Sequence, residues 1–358
     1  MAFFYCKIVN LTLHSGSHFY ELPLAMGYLL MNDITAQILS RLTAVPDFLS
    51  GEALCRAFGI TRSAVWKHIC LLRSEGYQID AVTGRGYRLS GLTGRPVEAE
   101  VHPFLTCRRF GRNILYHPLT TSTNIEAKAL AAEGAPEGSV VAADCQSGGR
   151  GRMGRSWVSP PGVNLYFSLI LRPAVPSVRV PQLTLLVAAA IHQALCRHSS
   201  DLVAMIKWPN DILADGKKLC GVLCEMQSEP DCTHFVVVGI GINVNQSEFP
   251  PDLQQSATSL FLESGQLFSR PELLASVLNH FEPLYDAWLL EDDLGFILPY
   301  LEEHALLQSK EVTIDQLKRS VRGTVRGISR FGELKLESAE GETILVSSGE
   351  AHLRSSIT

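Results

Sequence analysis

Gly148-Gly149-Arg150-Gly151-Arg152-Met153-Gly154-Arg155 sets four glycines among three arginines within eight residues. Glycine permits backbone conformations that side chains forbid and leaves amide N–H groups open to a ligand. Arginine stays charged and presents a planar fork of donors that suits carboxylate or phosphate. The stretch has no apolar face to bury, so the expectation is a mobile loop that becomes ordered around an anion. A nucleic-acid-binding loop or a merely solvated basic loop has the same composition, so the neighbouring segments must decide.

Upstream, Ser139–Ala143 reads as a buried strand that delivers Asp144 and Gln146 to the loop, and downstream Trp157 and Pro160-Pro161 close it. Further back, Thr120-Thr121-Ser122-Thr123-Asn124 is a hydroxyl-rich turn before a helix over residues 125–132; a plain capping cluster is its ordinary reading. Asn164–Leu171 is the next strand, and Leu183–Arg197 is a helix whose Ala and Val stripe belongs to the core. Ile206-Lys207-Trp208-Pro209-Asn210-Asp211-Ile212 places a lysine, an amide and a carboxylate around a bend at proline. Gly216-Lys217-Lys218-Leu219-Cys220-Gly221-Val222-Leu223-Cys224-Glu225 follows as a turn entering a buried strand, with Lys218 at its mouth and Gly221 open to close approach. Phe235–Gly239 runs into Gly239-Ile240-Gly241-Ile242-Asn243-Val244-Asn245, a strand end lined by small residues and amides. Each signal alone is weak, and their co-occurrence in one domain of alternating strands and helices carries the argument. Residues 271–290 add an amphipathic helix with Leu273, Leu274, Val277, Leu278, Phe281, Leu284 and Trp288 inward.

Residues 34–89 read as a winged helix-turn-helix. Ile34, Ile38, Leu39 and Leu42 share one helix face, Ser50 caps a second helix, Gly59 turns, and Thr61 caps a third. That third helix buries Val65, Ile69 and Leu72 and turns Arg62, Ser63, Lys67, His68 and Arg73 outward, with no acid from Thr61 to Arg73. A polar cap and a basic face suit a major groove, which makes Gly51–Cys70 the expected DNA-reading unit. Tyr77–Ile79 and Tyr87–Leu89 form the wing, with Arg85 at its tip in Thr83-Gly84-Arg85-Gly86. Gly91–Pro103 lacks periodicity and reads as a linker. At the other end, residues 310–354 alternate as short strands with Gly332 and Gly341 as turns, the pattern of a small SH3-like barrel.

The whole chain has 358 residues and a net charge of −5, so any nucleic acid must be drawn by a local patch. Its nine cysteines carry no paired CxxC spacing, which argues for reduced thiols and a cytoplasmic setting over a disulfide framework or zinc site. Residues 1–30 are apolar and aromatic without the layout of a signal peptide or a bilayer span, so no membrane association is expected. They read as an extension of unknown role ahead of a natural start at Met26 or Met31. The division expected is therefore 1–30, a DNA-binding head over 31–92, a catalytic domain over 104–305 and a small β domain over 310–358.

With GGRGRMGR, KWPND, KLCGVLCE, GIGINVN, the Ser122–Asn124 turn and the tail Gly349–Arg354 in this order, the chain resembles the BirA-type biotin protein ligases, the bifunctional ligase–repressors. The resemblance runs from Met31 to the end. It implies a multidomain α+β protein whose central domain is like the class II aminoacyl-tRNA synthetase core. It implies ATP and biotin as substrates, biotinyl-5′-adenylate as intermediate, Mg²⁺, a biotin carboxyl carrier protein as acceptor, and a homodimer on operator DNA when adenylate is bound. Carried onto this sequence, Ser122, Thr123, Asn124 and Gln146 would meet the biotin head group, a neutral cyclic urea. Arg150, Gly151 and Arg152 would fold over the carboxylate and α-phosphate, with Lys218 below and Lys207 on the phosphates. Trp157, Asn210, Asp211 and Asn243 would serve the nucleotide, with Asp211 also a candidate for Mg²⁺. Met153 departs from relatives that carry another arginine there. A lipoate-type ligase, a ligase with a vestigial head, and a pure metabolite-sensing transcription factor are the rival readings.

Overall fold

The structure is a computed structural model and describes residues 33–229, 232–316 and 319–353. Residues 1–30, the start at Met26 or Met31, and Arg354 of the closing strand lie outside the described residues.

The head is three helices and a hairpin: α1 (Asp33–Ala44), α2 (Gly51–Phe58), α3 (Arg62–Ser74), β1 (Gln78–Val82) and β2 (Gly86–Gly91). The expected caps form. Ser50 Oγ accepts Ala53 N–H at 3.1 Å and Thr61 Oγ1 accepts Ala64 N–H at 3.2 Å. Losing either to alanine costs about 1 kcal/mol. Gly59 ends α2 at φ 63°, where a Cβ is disfavoured. Ile38, Leu39, Leu42, Leu54, Val65, Ile69, Leu72, Tyr77 and Ile79 form a separate small core.

The segment after the wing is not an open linker. Residues 98–101 form a short helix, α4 (Glu98–Val101), followed by a 3₁₀ turn over His102–Phe104. Pattern reading fails here because four residues are too few to show a helical period.

The central domain is built on a seven-stranded sheet. Its elements are β3 (Ile114–His117), α5 (Thr123–Ala132), β4 (Val140–Ala143), β5 (Leu165–Leu171), α6 (Gln182–His198), β6 (Ala204–Lys207), β7 (Asp211–Ala214), β8 (Lys217–Glu229), β9 (Cys232–Ile242), α7 (Leu260–Ser264), α8 (Arg270–Leu290) and α9 (Leu298–Glu303). The strand order is β3-β4-β5-β9-β8-β7-β6, parallel only between β3 and β4. Helix α5 covers one face through Ala127 and Ala131 against Val141, Ile170 and Val237. Helices α6 and α8 cover the other, which is why β4 and β5 are apolar on both sides and read as continuous runs. The stretch Ser177–His198 is long and apolar enough to cross a membrane, and it is the mostly buried α6 with its preceding turn.

Strands β10 (Glu311–Asp315), β11 (Ser320–Ile328), β12 (Leu334–Glu337), β13 (Thr343–Val346) and β14 (Glu350–Leu353) form one antiparallel sheet in the order β13-β12-β11-β10-β14. The expected barrel is thus an open one, with β13 and β14 as its edges. Its Val312, Ile314, Val325 and Leu334 join the main core, and Trp208 Nε1 donates to Gly332 O at 3.0 Å, so this unit is fastened beside the KWPND bend.

Candidate active site and DNA-binding head

Strand ends on one side of the sheet, the glycine–arginine loop and the tip of the C-terminal sheet enclose a cavity of about 260 Å³. It gathers Ser122, Thr123, Asn124, Gln146, Arg150, Gly151, Arg152, Trp157, Lys207, Asn210, Asp211, Lys218 and Asn243, so every residue expected at the small-molecule site lines it. Five cationic side chains (Arg150, Arg152, Arg155, Lys207, Lys218) and two carboxylates (Asp211, Glu350) line this one cavity of an acidic chain. Such a field concentrates polyanions.

The polar end is a network. Gln146 Oε1 accepts Thr123 N–H at 2.9 Å, and Gln146 Nε2 donates to Ser159 Oγ at 3.1 Å. Asn124 Nδ2 donates to Glu225 Oε2 at 2.8 Å, and Asn124 Oδ1 lies 2.6 Å from Ser168 Oγ. Burial opposes ionisation of Glu225, but hydrogen bonds from Lys128 and Asn124 hold its carboxyl below the usual range. Ser122 is buried at the start of α5, yet its hydroxyl does not cap the helix. The capping alternative for this turn therefore fails at Ser122.

Gly239 is required here, because a Cβ would stand 2.1 Å from Asn124 Oδ1. Gly221 and Gly241 face each other across β8 and β9, and Trp157 lies against both; a Cβ on Gly241 would stand 2.6 Å from its ring. The close approach that Gly221 permits is thus by Trp157. The indole Nε1–H is buried and has no acceptor among the described residues. Lys218 Nζ sits 5.5 Å from the same ring's centroid.

In this structure the glycine–arginine loop has a defined fold. Arg150 pairs with Ser156 as an antiparallel bridge, Gly151 N–H donates to Arg155 O at 2.8 Å, and Arg152–Gly154 is a 3₁₀ turn. Met153 sits at its apex, exposed, at φ 56°. Two contacts hold the loop from outside. Arg152 Nη1 donates to Asn210 Oδ1 at 2.9 Å, and Arg155 is ion-paired with Glu350 of β14. Burial lowers the Arg152 guanidinium, which Asp211 opposes. Burial likewise lowers the Lys207 ammonium below the usual lysine range, again opposed by Asp211.

Two of the residues expected at the nucleotide line the cavity with amides that also bond to the protein. Asn243 Nδ2 donates to Thr258 O at 2.9 Å and reaches Lys218 O at 3.4 Å, so its donors brace the cavity wall. Asn210 Nδ2 donates to Val222 O at 3.0 Å and its oxygen holds Arg152. Sequence reading missed Phe249, Leu253, Ser256 and Ala257, which wall the cavity opposite the loop, and Glu350. The 247–257 segment, with Pro250 and Pro251 inside it, has neither charge clusters nor periodicity to signal such a role.

In the head, Arg62, Ser63 and Lys67 are exposed on α3 as expected. His68 is not: its Nδ1 lies 2.8 Å from Oγ1 of Thr35, a fully buried residue of α1, so it faces inward. Arg73 donates to Ile79 O and fastens β1 to α3. Arg85 stands at the wing tip, 3.0 Å from Asp47 and 4.3 Å over the Phe48 ring. Trp66, passed over in the sequence, is 57% exposed between Arg62, Ser63 and Lys67.

The chain thus joins a helix-turn-helix head, an α/β domain with a cation-lined cavity and a small β unit that touches the cavity's loop. Residues 116–243 match the Biotin/lipoate A/B protein ligase family, 35–88 the HTH domain and 310–354 the biotin protein ligase C terminal domain. The bifunctional ligase/repressor BirA of Bacillus subtilis is 41% identical over 297 residues, 82% of this chain and 91% of that protein. The BirA of Escherichia coli is 29% identical over 91% of this chain and 99% of its own length. The solved biotin protein ligase of Aquifex aeolicus in complex with biotin and ATP is 31% identical, with a TM-score of 0.60 over 68% of this chain and all of that one. The chain belongs to the BirA family of bifunctional biotin ligase/repressors.

Proposed function

We propose that this chain joins biotin to ATP, passes biotin to a lysine of a biotin carboxyl carrier protein, and represses transcription through its DNA-binding head. The observation that carries the reading is the single cavity in which five cations face a hydroxyl- and amide-lined recess, with a helix-turn-helix in the same chain.

The chemistry asks for positioning and charge neutralisation more than for a protein nucleophile. A biotin carboxylate oxygen attacks the α-phosphorus of ATP, the bond to the β,γ-pyrophosphate breaks, and pyrophosphate leaves. Arg150, Arg152 and the Gly151 N–H meet the charge that develops on the α-phosphate, and Lys218 supports it from the strand below. Lys207 binds the phosphates of the leaving group. Ser122, Thr123 and Asn124 hold the ureido head, with Gln146 keeping the Thr123 backbone in place. Trp157 covers the adenine side and offers its free indole N–H. In the second step the carrier's lysine amine attacks the acyl carbon and AMP departs. A closed loop keeps water from the mixed anhydride until then.

The donor set suits Mg²⁺. Asp211 Oδ1 is ion-paired with Lys218 Nζ at 2.8 Å at the cavity, and this hard cation takes one or two carboxylates plus phosphate oxygens. Asp211 would hold it, and the metal would screen the triphosphate. Exposed Arg62, Ser63 and Lys67, with Arg85 on the wing, serve the operator. Adenylate that orders the loops favours a homodimer, and two heads then bind a two-fold site together. The division into head, catalytic domain and small β domain follows the boundaries given above, and free thiols among the described cysteines suit the cytoplasm.

The test is transfer of biotin from ATP and biotin to a carrier domain, with lipoate as the competing acid and Lys218→Ala as control. Transfer of biotin alone, strongly reduced by Lys218→Ala, is expected. Equal transfer of lipoate would assign the chain to the other ligase class.

A further inference from the structure

Arg270 opens the 21-residue helix α8 and is only 5% exposed. A cation at a helix N-terminus stands at the unfavourable end of the helix dipole. A buried guanidinium is also costly unless its donors find acceptors. Here they find three, on three separate segments. Nε donates to Gly94 O at 3.0 Å, and Nη1 lies 2.7 Å from Asp144 Oδ1 and 3.2 Å from Asn164 O.

Each acceptor opens onto a different part of the molecule. Gly94 belongs to the tether of the head. Its N–H, together with the N–H and hydroxyl of Thr93, is held by the fully buried Glu100 carboxylate on α4. Tyr77, in the head's own core, faces the same Thr93 and Glu100. Helix α4 packs on α1 of the head on one side and on α8 on the other. Asp144 is the root of the glycine–arginine loop: Cys145, Ser147 and Gly148 bond to the backbone of Thr120 and Thr121 immediately beyond it. Asn164, also fully buried, accepts Val244 N–H at 2.9 Å and donates to Gln246 at 2.6 Å, at the root of the segment that carries Phe249.

Nothing in the ligation chemistry calls for Arg270. We propose that Arg270 is a positioning residue that clamps the head's tether, the root of the substrate loop and the root of the nucleotide wall into one joint, through which ligand binding and DNA binding are coupled. The proposal rests on the reading of the chain as a ligand-regulated DNA-binding ligase. Coupling of this kind is a ratio of affinities and is reciprocal, so it can be measured apart from either affinity alone.

The probe is a duplex selected from a random library by the full-length wild-type protein in the presence of biotin and ATP. The readout is the ratio of its Kd without and with biotin and ATP. Arg270→Lys keeps the charge but cannot span three acceptors as a fork does. Thr93→Val cuts the joint at its far end and leaves the loop roots intact. Both are expected to shrink the ratio about tenfold or more, and Thr93→Val, which leaves the loop roots intact, should keep biotin transfer within about threefold of wild type. A loss of folded protein alone would lower the active fraction and leave the ratio unchanged. If Arg270→Lys fails to fold, Thr93→Val decides. Ratios within about twofold of wild type in the folded variants overturn the proposal. A wild-type protein that selects no duplex, or binds it equally with and without biotin and ATP, overturns the regulatory reading itself and the proposal with it.

Discussion

Lys218 Nζ lies 2.8 Å from Asp211 Oδ1 across the paired strands β7 and β8. The cation assigned to the reacting carboxylate and the carboxylate assigned to Mg²⁺ therefore hold each other at the mouth of the cavity. Removing either should be felt in a different titration. Lys218→Ala is expected to lower kcat/KM for biotin by about 10²–10³. Asp211→Asn leaves that ammonium in place and should raise the Mg²⁺ concentration needed for half-maximal rate. Equal metal requirements in Asp211→Asn and wild type would remove Asp211 from that role.

Trp157 depends on two glycines for its seat. Gly241→Ala would push the indole off the sheet and should raise KM for ATP about tenfold, with a smaller effect on biotin. The double variant with Trp157→Ala decides the cause. If the glycine acts through the ring, adding Gly241→Ala to Trp157→Ala costs nothing further.

Lys207 gives a pH signature. Burial disfavours its ammonium, so its positive charge is present below a pKa lowered from the ordinary lysine value and is lost as pH rises through it. The rate at sub-saturating ATP should fall on the alkaline side earlier than a free lysine would dictate. Lys207→Arg, which stays charged, should move that limb to higher pH. A profile identical in both proteins would show that another group controls the alkaline limb.

Trp66 is exposed on the same helix as Arg62, Ser63 and Lys67, and apolar contact with a thymine methyl is the recognition its chemistry offers. Trp66→Ala should weaken operator binding about tenfold and leave biotin transfer unchanged. His68→Ala, by contrast, should lower thermal stability through its lost contact with Thr35 more than it alters DNA affinity. The reverse ranking would mean that α3 presents a different face to DNA.

What could be read from the chain was what is local. The caps at Ser50 and Thr61, the turn at Gly59, the apolar runs of β4, β5 and β9, and the cluster of motifs around Arg150, Lys207 and Lys218 each depend on neighbours in sequence, and each is found where expected. What escaped depends on register and distance. The seat of Trp157 needs Gly221 opposite Gly241, a pairing set by two strands. The hold of Glu350 on Arg155 joins residues far apart in the chain. His68 misled because a helical period says which residues share a face, but His68 lies at the edge of the buried stripe and turns toward Thr35. The bracing role of Asn243 escaped because an amide that suits a ligand serves two backbone carbonyls equally well. Glu100 gave no sign of its burial, since an acid two residues from Glu98 looks solvated until its three donors are seen.

The loop as a lid gives a direct consequence. Arg152 reaches Asn210 and Gly349 across the cavity, so Arg152→Gly should still form adenylate but lose it early. Indiscriminate biotin labelling of lysines on a bystander protein is the expected readout, and retention equal to wild type would contradict the lid.

The most direct measurement of the central claim is exchange of labelled pyrophosphate into ATP by the purified full-length protein. Exchange that appears only when biotin is added, and that Lys218→Ala suppresses, is the predicted result. A folded protein that shows no exchange with biotin, or the same exchange without it, would contradict the account.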